Sequence, residues 1–269
     1  MDYIKIEFTG TTEVKNELII ASLIPYSFEG FEETSTTLCA YIAQDKFEEE
    51  SVQQVAAQFD SQYSSSIVKQ KNWNAEWESS FQPVCIGDFA GIRAEFHPPL
   101  TTVKYEIVIT PKMSFGTGHH ATTYMMIEQM QDIDFKEKKV FDFGTGTGVL
   151  AILSKFLGAA TVHATDYDEW SIENSIENIS RNVAGGITTE LSEKVAQGKF
   201  DIILANINKN VIIENLSLLA SGLSAHGVLL LSGLLIHDES DIVNGGKEYG
   251  LHLQKKLVRN NWISLKFGN

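Results

Sequence analysis

Hydrophobic positions change their spacing along this chain, and the change divides it. Near the start, Tyr3, Ile4, Ile6 and Phe8 open a run that settles into the alternation IKIEF, the period of a half-buried strand. Residues 11–24 read as a helix with Val14, Leu18 and Ile19 towards one side. A second strand-like run, TTLCAYIA, covers residues 36–43. Residues 48–59 then place Val52, Val55, Ala56 and Phe59 at helical spacing, and residues 64–69 read as a further strand. This order fits a small β-α-β-β-α-β unit.

Further on, Trp73, Trp77 and Phe81 recur at i, i+4 and i+8, one side of a helix that would anchor a connection to a neighbour. Between residues 84 and 109, short apolar runs broken by Gly87, Gly91, Pro98 and Pro99 suggest strands. From residue 139 onward, buried strand-like runs alternate with amphipathic segments. KVFDF precedes a helix over 149–157, TVHATD one over 170–179, and FDIILAN one over 211–220. GVLLLSG, a helix over 237–248 and two β-rich runs complete the chain. Such alternation predicts a parallel sheet with helices on both faces, and ligands beyond the carboxyl ends of its strands. The expected organisation is a small α+β, ferredoxin-like domain over 1–70, a linker helix over 71–83, and an α/β, Rossmann-like domain over 84–269.

Composition narrows the class. With 43% hydrophobic and 21% charged residues, the 269-residue chain matches an ordinary globular protein and excludes wholesale disorder. The longest nearly apolar run, residues 227–236, falls short of the roughly 18 residues that span a bilayer. The opening MDYIKIEFTG lacks the basic and apolar segments of a signal peptide. Two cysteines, Cys39 and Cys85, are too few for a disulfide framework or a cysteine-based zinc site. A soluble cytoplasmic protein is expected, without membrane contact.

Charge adds a second asymmetry. There are 21 basic and 35 acidic side chains, a net of −14, which argues against direct nucleic-acid binding through phosphate neutralisation. Residues 1–60 hold 12 Asp and Glu against 3 Lys and no Arg, a net of −9. That excess reads either as a solubilising surface or as a docking surface for a basic partner, since complementary fields steer encounter.

The chemistry concentrates in VFDFGTGTGVLAI, residues 140–152. An apolar strand runs into Gly144, Gly146 and Gly148, whose missing side chains permit a tight turn and close approach of a ligand to the backbone. The dinucleotide fingerprint is GxGxxG, whereas this chain reads GxGxG with Val149 where the last glycine would stand. The D-x-G-x-G-x-G pattern that begins at Asp142 resembles instead the first motif of Rossmann-like S-adenosylmethionine methyltransferases. Asp166 closes the next strand, where a carboxylate can accept hydrogen bonds from both ribose hydroxyls. Asp168 suits the N-cap of the following helix. The pair His119–His120 suggests a metal, but zinc needs three or four ligands and adjacent residues point apart, so no metal is expected.

Two further segments sharpen the resemblance. FGTGHHATT stands before the glycine loop and ANI after the fourth strand, at residues 205–207. Together they closely resemble the methyltransferases of ribosomal protein L-eleven, the PrmA type, over nearly all of residues 80–269. The resemblance implies an N-terminal substrate-recognition domain, a linker and a catalytic domain. It implies transfer of methyl groups from S-adenosyl-L-methionine to lysine side-chain and N-terminal amines of that basic, large-subunit ribosomal protein. Carried over by motif, cofactor contacts fall on Thr123, Gly144, Asp166 and Asn206. The family commonly has CGSG where this chain has TGTG, a change that keeps the backbone of the loop. After ANI, Asn208-Lys209-Asn210 departs from the more apolar sequence the resemblance implies, a difference expected to alter contacts near the substrate amine.

No general base is evident, and no catalytic residue is assigned. Methyltransferases acting on planar amino groups usually carry an NPPY-like motif at this strand end; ANIN lacks both prolines and the aromatic, which favours an aliphatic amine. The alternatives are a methyltransferase of a small molecule or nucleic acid, and an adenosylmethionine-binding module without catalysis.

Overall fold

Alternation in the opening residues builds a strand that turns Ile4, Ile6 and Phe8 inward, β1 (Tyr3–Thr9). In the computed structural model, residues 2–34, 36–68, 81–112 and 114–269 are described. They separate into two units, Met1–Ser80 and Phe81–Asn269.

In the first unit, β1 pairs antiparallel with both β3 (Thr37–Ala43) and β4 (Gln62–Val68). A short β2 (Gly30–Glu33) adds to β3, giving the order β2-β3-β1-β4. This strand supplies the one member of the β-α-β-β-α-β pattern without a hydropathy signal, since GFEE alternates nothing. Helices α1 (Glu13–Leu23) and α2 (Glu49–Gln58) bury Ile19, Leu23, Val52 and Val55 against Ile6, Phe8 and Leu38.

The inward face of α1 differs from the sequence expectation. Ile19 and Leu23 are buried together with Asn16, while Val14 is 69% and Leu18 52% exposed. Apolar residues lie on both sides of this helix, so periodicity alone selects neither. Asn16 is accommodated by its Nδ2, which donates to Glu33 Oε2 at 3.2 Å. Residues 71–80 of the expected linker helix, with Trp73 and Trp77, lie outside the described residues, and residues 81–83 are not helical.

The second unit opens with β5 (Val84–Ile86), β6 (Ala90–Ala94) and β7 (Tyr105–Ile109), a small sheet in which β6 and β7 are parallel. Helix α3 (Ala121–Met130) leads to the main sheet. The sheet is built from β8 (Lys139–Phe143), α4 (Val149–Phe156), β9 (Thr161–Asp166), α5 (Glu169–Arg181), β10 (Ile187–Leu191) and β11 (Phe200–Asn206). It continues with α6 (Lys209–Gly222), β12 (Leu223–Leu235), α7 (Glu239–Glu248), β13 (His252–Arg259) and β14 (Trp262–Gly268).

The seven strands lie in the order β10-β9-β8-β11-β12-β14-β13. The first five are parallel, but β14 runs antiparallel to both β12 and β13. The parallel sheet expected from the alternation is thus extended by an antiparallel terminal pair. Its cause is local: Asn260 and Asn261 take left-handed φ values of 49° and 66°, which close a tight hairpin and need no crossover helix. Strand β10 was also silent in the sequence, because ITTEL at the sheet edge buries little.

Helices cover both faces. Met126, Ile127 and Met130 of α3 and the apolar side of α4 pack on one face. Ile212, Leu216 and Leu219 of α6 and Ile242 of α7 pack on the other. Strand order reverses between β8 and β11, so their carboxyl ends meet at the switch point where a crevice opens. Among the described residues, no helix is long and apolar enough to cross a membrane.

Candidate functional site

The glycine loop occupies that switch point. After β8 the chain turns through Gly144 (φ 79°), Thr145 and Gly146 (φ 55°), and the N–H groups of Gly144 and Thr145 both donate to Thr165 O at 2.9 Å. Gly146 could carry no side chain, because a Cβ there would stand 2.3 Å from the carbonyl oxygen of Phe115. That oxygen accepts from Thr147 N–H at 2.9 Å, and the Thr147 hydroxyl donates to Gly116 O at 2.8 Å. The segment FGTG is thus clipped onto the glycine loop, which brings together two motifs separated by some thirty residues.

Asp166 ends β9 beside the loop and is 7% exposed. Its Oδ2 accepts from Gly146 N–H at 2.9 Å and its Oδ1 from Asp168 N–H at 3.1 Å. Each oxygen keeps further acceptor capacity, as two ribose hydroxyls require. Asp168 accepts from Ser171 N–H at 3.0 Å and from its hydroxyl at 2.8 Å, the N-cap of α5.

Asp142 lies beneath the same loop. The Thr145 hydroxyl donates to its Oδ2 at 2.7 Å, and its Oδ1 has no partner among the described residues. Burial, reinforced by the negative charge of Asp166 and opposed by Thr145, pushes this carboxyl up to about 7.

Across the crevice, Asn206 ends β11. Its Nδ2 donates to Thr123 Oγ1 at 3.1 Å, which fixes the amide, while the buried Oδ1 has no partner among the described residues. Thr123 itself is 1% exposed and stands behind Asn206; its neighbour Thr122 reaches the crevice. Of the four residues carried over by motif, Gly144, Asp166 and Asn206 line one cleft of about 460 Å³. Thr123 touches it through Asn206. A hollow of about 490 Å³ over β9 and β10, beside His163 and Glu190, contains none of the motif residues.

The cleft has a second wall that sequence reasoning did not assemble. Phe115, His120 and Trp262 line it, with the His120 ring 5.2 Å from Phe115 and 4.7 Å from Trp262, both edge to face. Trp262 starts β14, far from every motif in the sequence, and only the β13–β14 hairpin carries it here. His119 turns away, with Nδ1 3.2 Å from Thr117 Oγ1 and its ring 4.8 Å from Phe81. Among the described residues, no group of three or more His, Cys, Asp or Glu could hold a metal.

The polar stretch after ANI has a structural use. Asn208 caps α6 by accepting from Val211 N–H at 3.1 Å, and Lys209 pairs with Asp238 at 3.0 Å and Asp241 at 2.7 Å. Asn208 also lines the cleft.

The Asp166 carboxylate with its spare acceptor capacity, the Asn206 amide and a glycine loop bare of side chains line one cleft that fits S-adenosylmethionine, a ligand with a ribose and an amino-acid tail. Comparison with known proteins agrees. Residues 10–269 match the family profile "Ribosomal protein L11 methyltransferase (PrmA)". A ribosomal protein L11 methyltransferase of Phocaeicola vulgatus is 37% identical over 278 aligned residues, covering 99% of each chain. That of Porphyromonas gingivalis is 38% identical over 266, covering 96% of this chain and 92% of its own. The crystal structure of a ribosomal protein L11 methylase from Lactobacillus delbrueckii subsp. bulgaricus superposes with a TM-score of 0.64 at 27% identity. That superposition covers 70% of this chain and 97% of the other.

Proposed function

The chain belongs to the ribosomal protein L11 methyltransferase family, and on that premise we propose that it methylates lysine side-chain and N-terminal amines of this large-subunit ribosomal protein. Such work would belong in the cytoplasm, where ribosomal proteins are made. Bound S-adenosylmethionine supplies an electrophilic methyl group on a sulfonium. The remaining task belongs to the chain: to hold the cofactor and to aim an amine lone pair along the S–CH₃ axis. Orientation of this kind can be worth roughly 7–11 kcal/mol.

Asp166 would receive the ribose hydroxyls, and the glycine turn would let the amino-acid tail approach the backbone closely. Thr123 is a positioning residue, since its oxygen holds the Asn206 amide with the carbonyl free. The free Oδ1 would accept an N–H of the incoming amine and orient its lone pair. Asp166 and Asp168 are the only carboxylates among the described lining residues, and both are engaged with backbone N–H groups. The amine must therefore arrive neutral, although a free lysine titrates near 10.4. The apolar wall of Phe115 and Trp262 disfavours the ammonium form by desolvation. The acidic first unit would serve as the substrate-recognition domain, over residues 1–70, by attracting a basic ribosomal protein.

The observation that carries this reading is the convergence of Gly144, Asp166 and Asn206 on one cleft, with Asn206 Oδ1 buried and without a partner among the described residues. Labelled S-adenosylmethionine incubated with ribosomal subunits from an unmethylated strain should place label in one small basic protein. Label in RNA would select a nucleic-acid methyltransferase, and binding without transfer would select a non-catalytic module.

A further inference from the structure

His120 has an unusual double attachment. It is the N-cap of α3, and its Nδ1 accepts from the backbone N–H of Thr122 at 3.4 Å, with the Thr122 hydroxyl 2.7 Å from the same nitrogen. A backbone N–H can only donate, so Nδ1 must present its lone pair to the helix start. In a neutral imidazole the proton then resides on Nε2. The ring meanwhile stands edge to face between Phe115 and Trp262 and lines the cleft.

We propose that His120 is a positioning residue for the acceptor amine, locked as the Nε2–H tautomer, which offers the cleft a neutral ring between Phe115 and Trp262 and does not take the amine proton. Neither nitrogen is available as a base. Nε2 has no lone pair to offer, and protonation at Nδ1 would break the cap of α3. The environment agrees with a neutral ring. Burial lowers the imidazole below its ordinary value, and its packed neighbours Phe115, Thr122 and Trp262 carry no charge. Arg259, on the same hairpin as Trp262, lies instead over the Tyr124 ring at 3.7 Å. A neutral ring in this place imposes no repulsion on an amine approaching a sulfonium and completes an aromatic wall suited to an aliphatic stem.

This inference rests on the aliphatic-amine reading above, and the two can fail separately. Methylation of the purified ribosomal protein by the wild type tests that reading. Nitrogen NMR of the ¹⁵N-histidine-labelled full chain, recorded without substrate, tests the tautomer: His120 should show a protonated Nε2 and an unprotonated Nδ1 at pH 7.5. The reverse pattern would overturn the proposal. Kinetics give a second decision. His120→Asn keeps an acceptor for Thr122 N–H but removes the ring, so KM for the ribosomal protein should rise at least tenfold while cofactor Kd stays within about twofold. His120→Phe keeps a ring and loses both nitrogens, so kcat should fall by severalfold only. Loss of a general base costs about 10²–10⁴. A fall of that size in the Phe variant, with cofactor affinity intact, would show His120 to be the proton acceptor after all.

Discussion

Asp142 and Asp166 both carry a carboxyl to the glycine loop, yet their surroundings assign them different work. Asp166 meets backbone N–H groups at the cleft, whereas Asp142 is fully buried beneath the loop. With its folded value pushed up to about 7 from an ordinary 3.8, Asp142 binds its proton more tightly in the native state than in the unfolded chain. Its contribution to stability is therefore fully present below pH 4 and is lost as pH rises to 7. Asp142→Asn keeps an acceptor for the Thr145 hydroxyl and removes the titration. It should raise urea-unfolding stability at pH 8 by a few kcal/mol at most and flatten its slope between pH 4 and 7. Unchanged pH dependence would refute this account. Asp166→Ala should act on the ligand instead. Two charge-assisted hydrogen bonds, about 1.5–3 kcal/mol each, set the upper range of lost S-adenosylmethionine affinity; calorimetry on a folded variant with wild-type affinity would remove Asp166 from the ribose. That Gly144, Asp166 and Asn206 line one cleft was legible because strand ends and motif spacing are local properties. Thr123 came with the motif, yet its use, holding Asn206 from behind, depends on a contact across 83 positions that no spacing encodes. Trp262 was illegible for the same reason.

Between elements, the decisive contact is the clip of the FGTG segment on the glycine loop. It is made by backbone atoms, so it depends on the absence of a side chain at Gly146 more than on any side chain present. Gly146→Ala would force an L-residue into the left-handed region and drive its Cβ against the Phe115 carbonyl. The variant should lose the Thr147–Phe115 bond, release the loop that carries His120, and weaken cofactor binding at least tenfold. Gly185→Ala is the control, since nothing lies within 4 Å of its Cβ position and its φ is not positive. Thermal melts with and without S-adenosylhomocysteine compare the two: ligand stabilisation should vanish in Gly146→Ala and persist in Gly185→Ala. Elements with a one-sided hydrophobic pattern, such as β1 and α2, were legible in the sequence, and so was β11 through its continuous apolar run. Helix α1 was legible as a helix but not in its orientation, because Val14 and Leu18 compete with Ile19 and Leu23 for the inward side. Strands β2 and β10 were silent because edges bury too little to leave a pattern. The antiparallel β14 follows from a two-residue turn whose backbone, more than its hydropathy, sets strand direction.

At the scale of the whole molecule, the candidate cofactor cleft and the acid excess belong to different units. All the motif residues lie in Phe81–Asn269, which has its own cores on both faces of the seven-stranded sheet. The net of −9 over residues 1–60 belongs to the other unit, which closes a separate core around Ile6, Phe8 and Leu38. If that charge recruits a basic ribosomal protein, recognition and chemistry are separable. A chain beginning at Phe81 should then bind S-adenosylmethionine with nearly unchanged affinity and lose methylation of the ribosomal protein at low substrate concentration. Salt should reproduce part of this loss in the full-length protein. The Debye length shrinks from about 10 Å at 0.1 M to about 3 Å at 1 M, so kcat/KM should fall with ionic strength while kcat at saturation changes little. A solubilising surface makes the opposite forecast, because removing it would harm handling without altering turnover per folded molecule. Initial rates of both chains on the purified ribosomal protein, across that salt range, separate the two. Equal kcat/KM for the shortened chain would mean that the acid serves only to keep the first unit in solution.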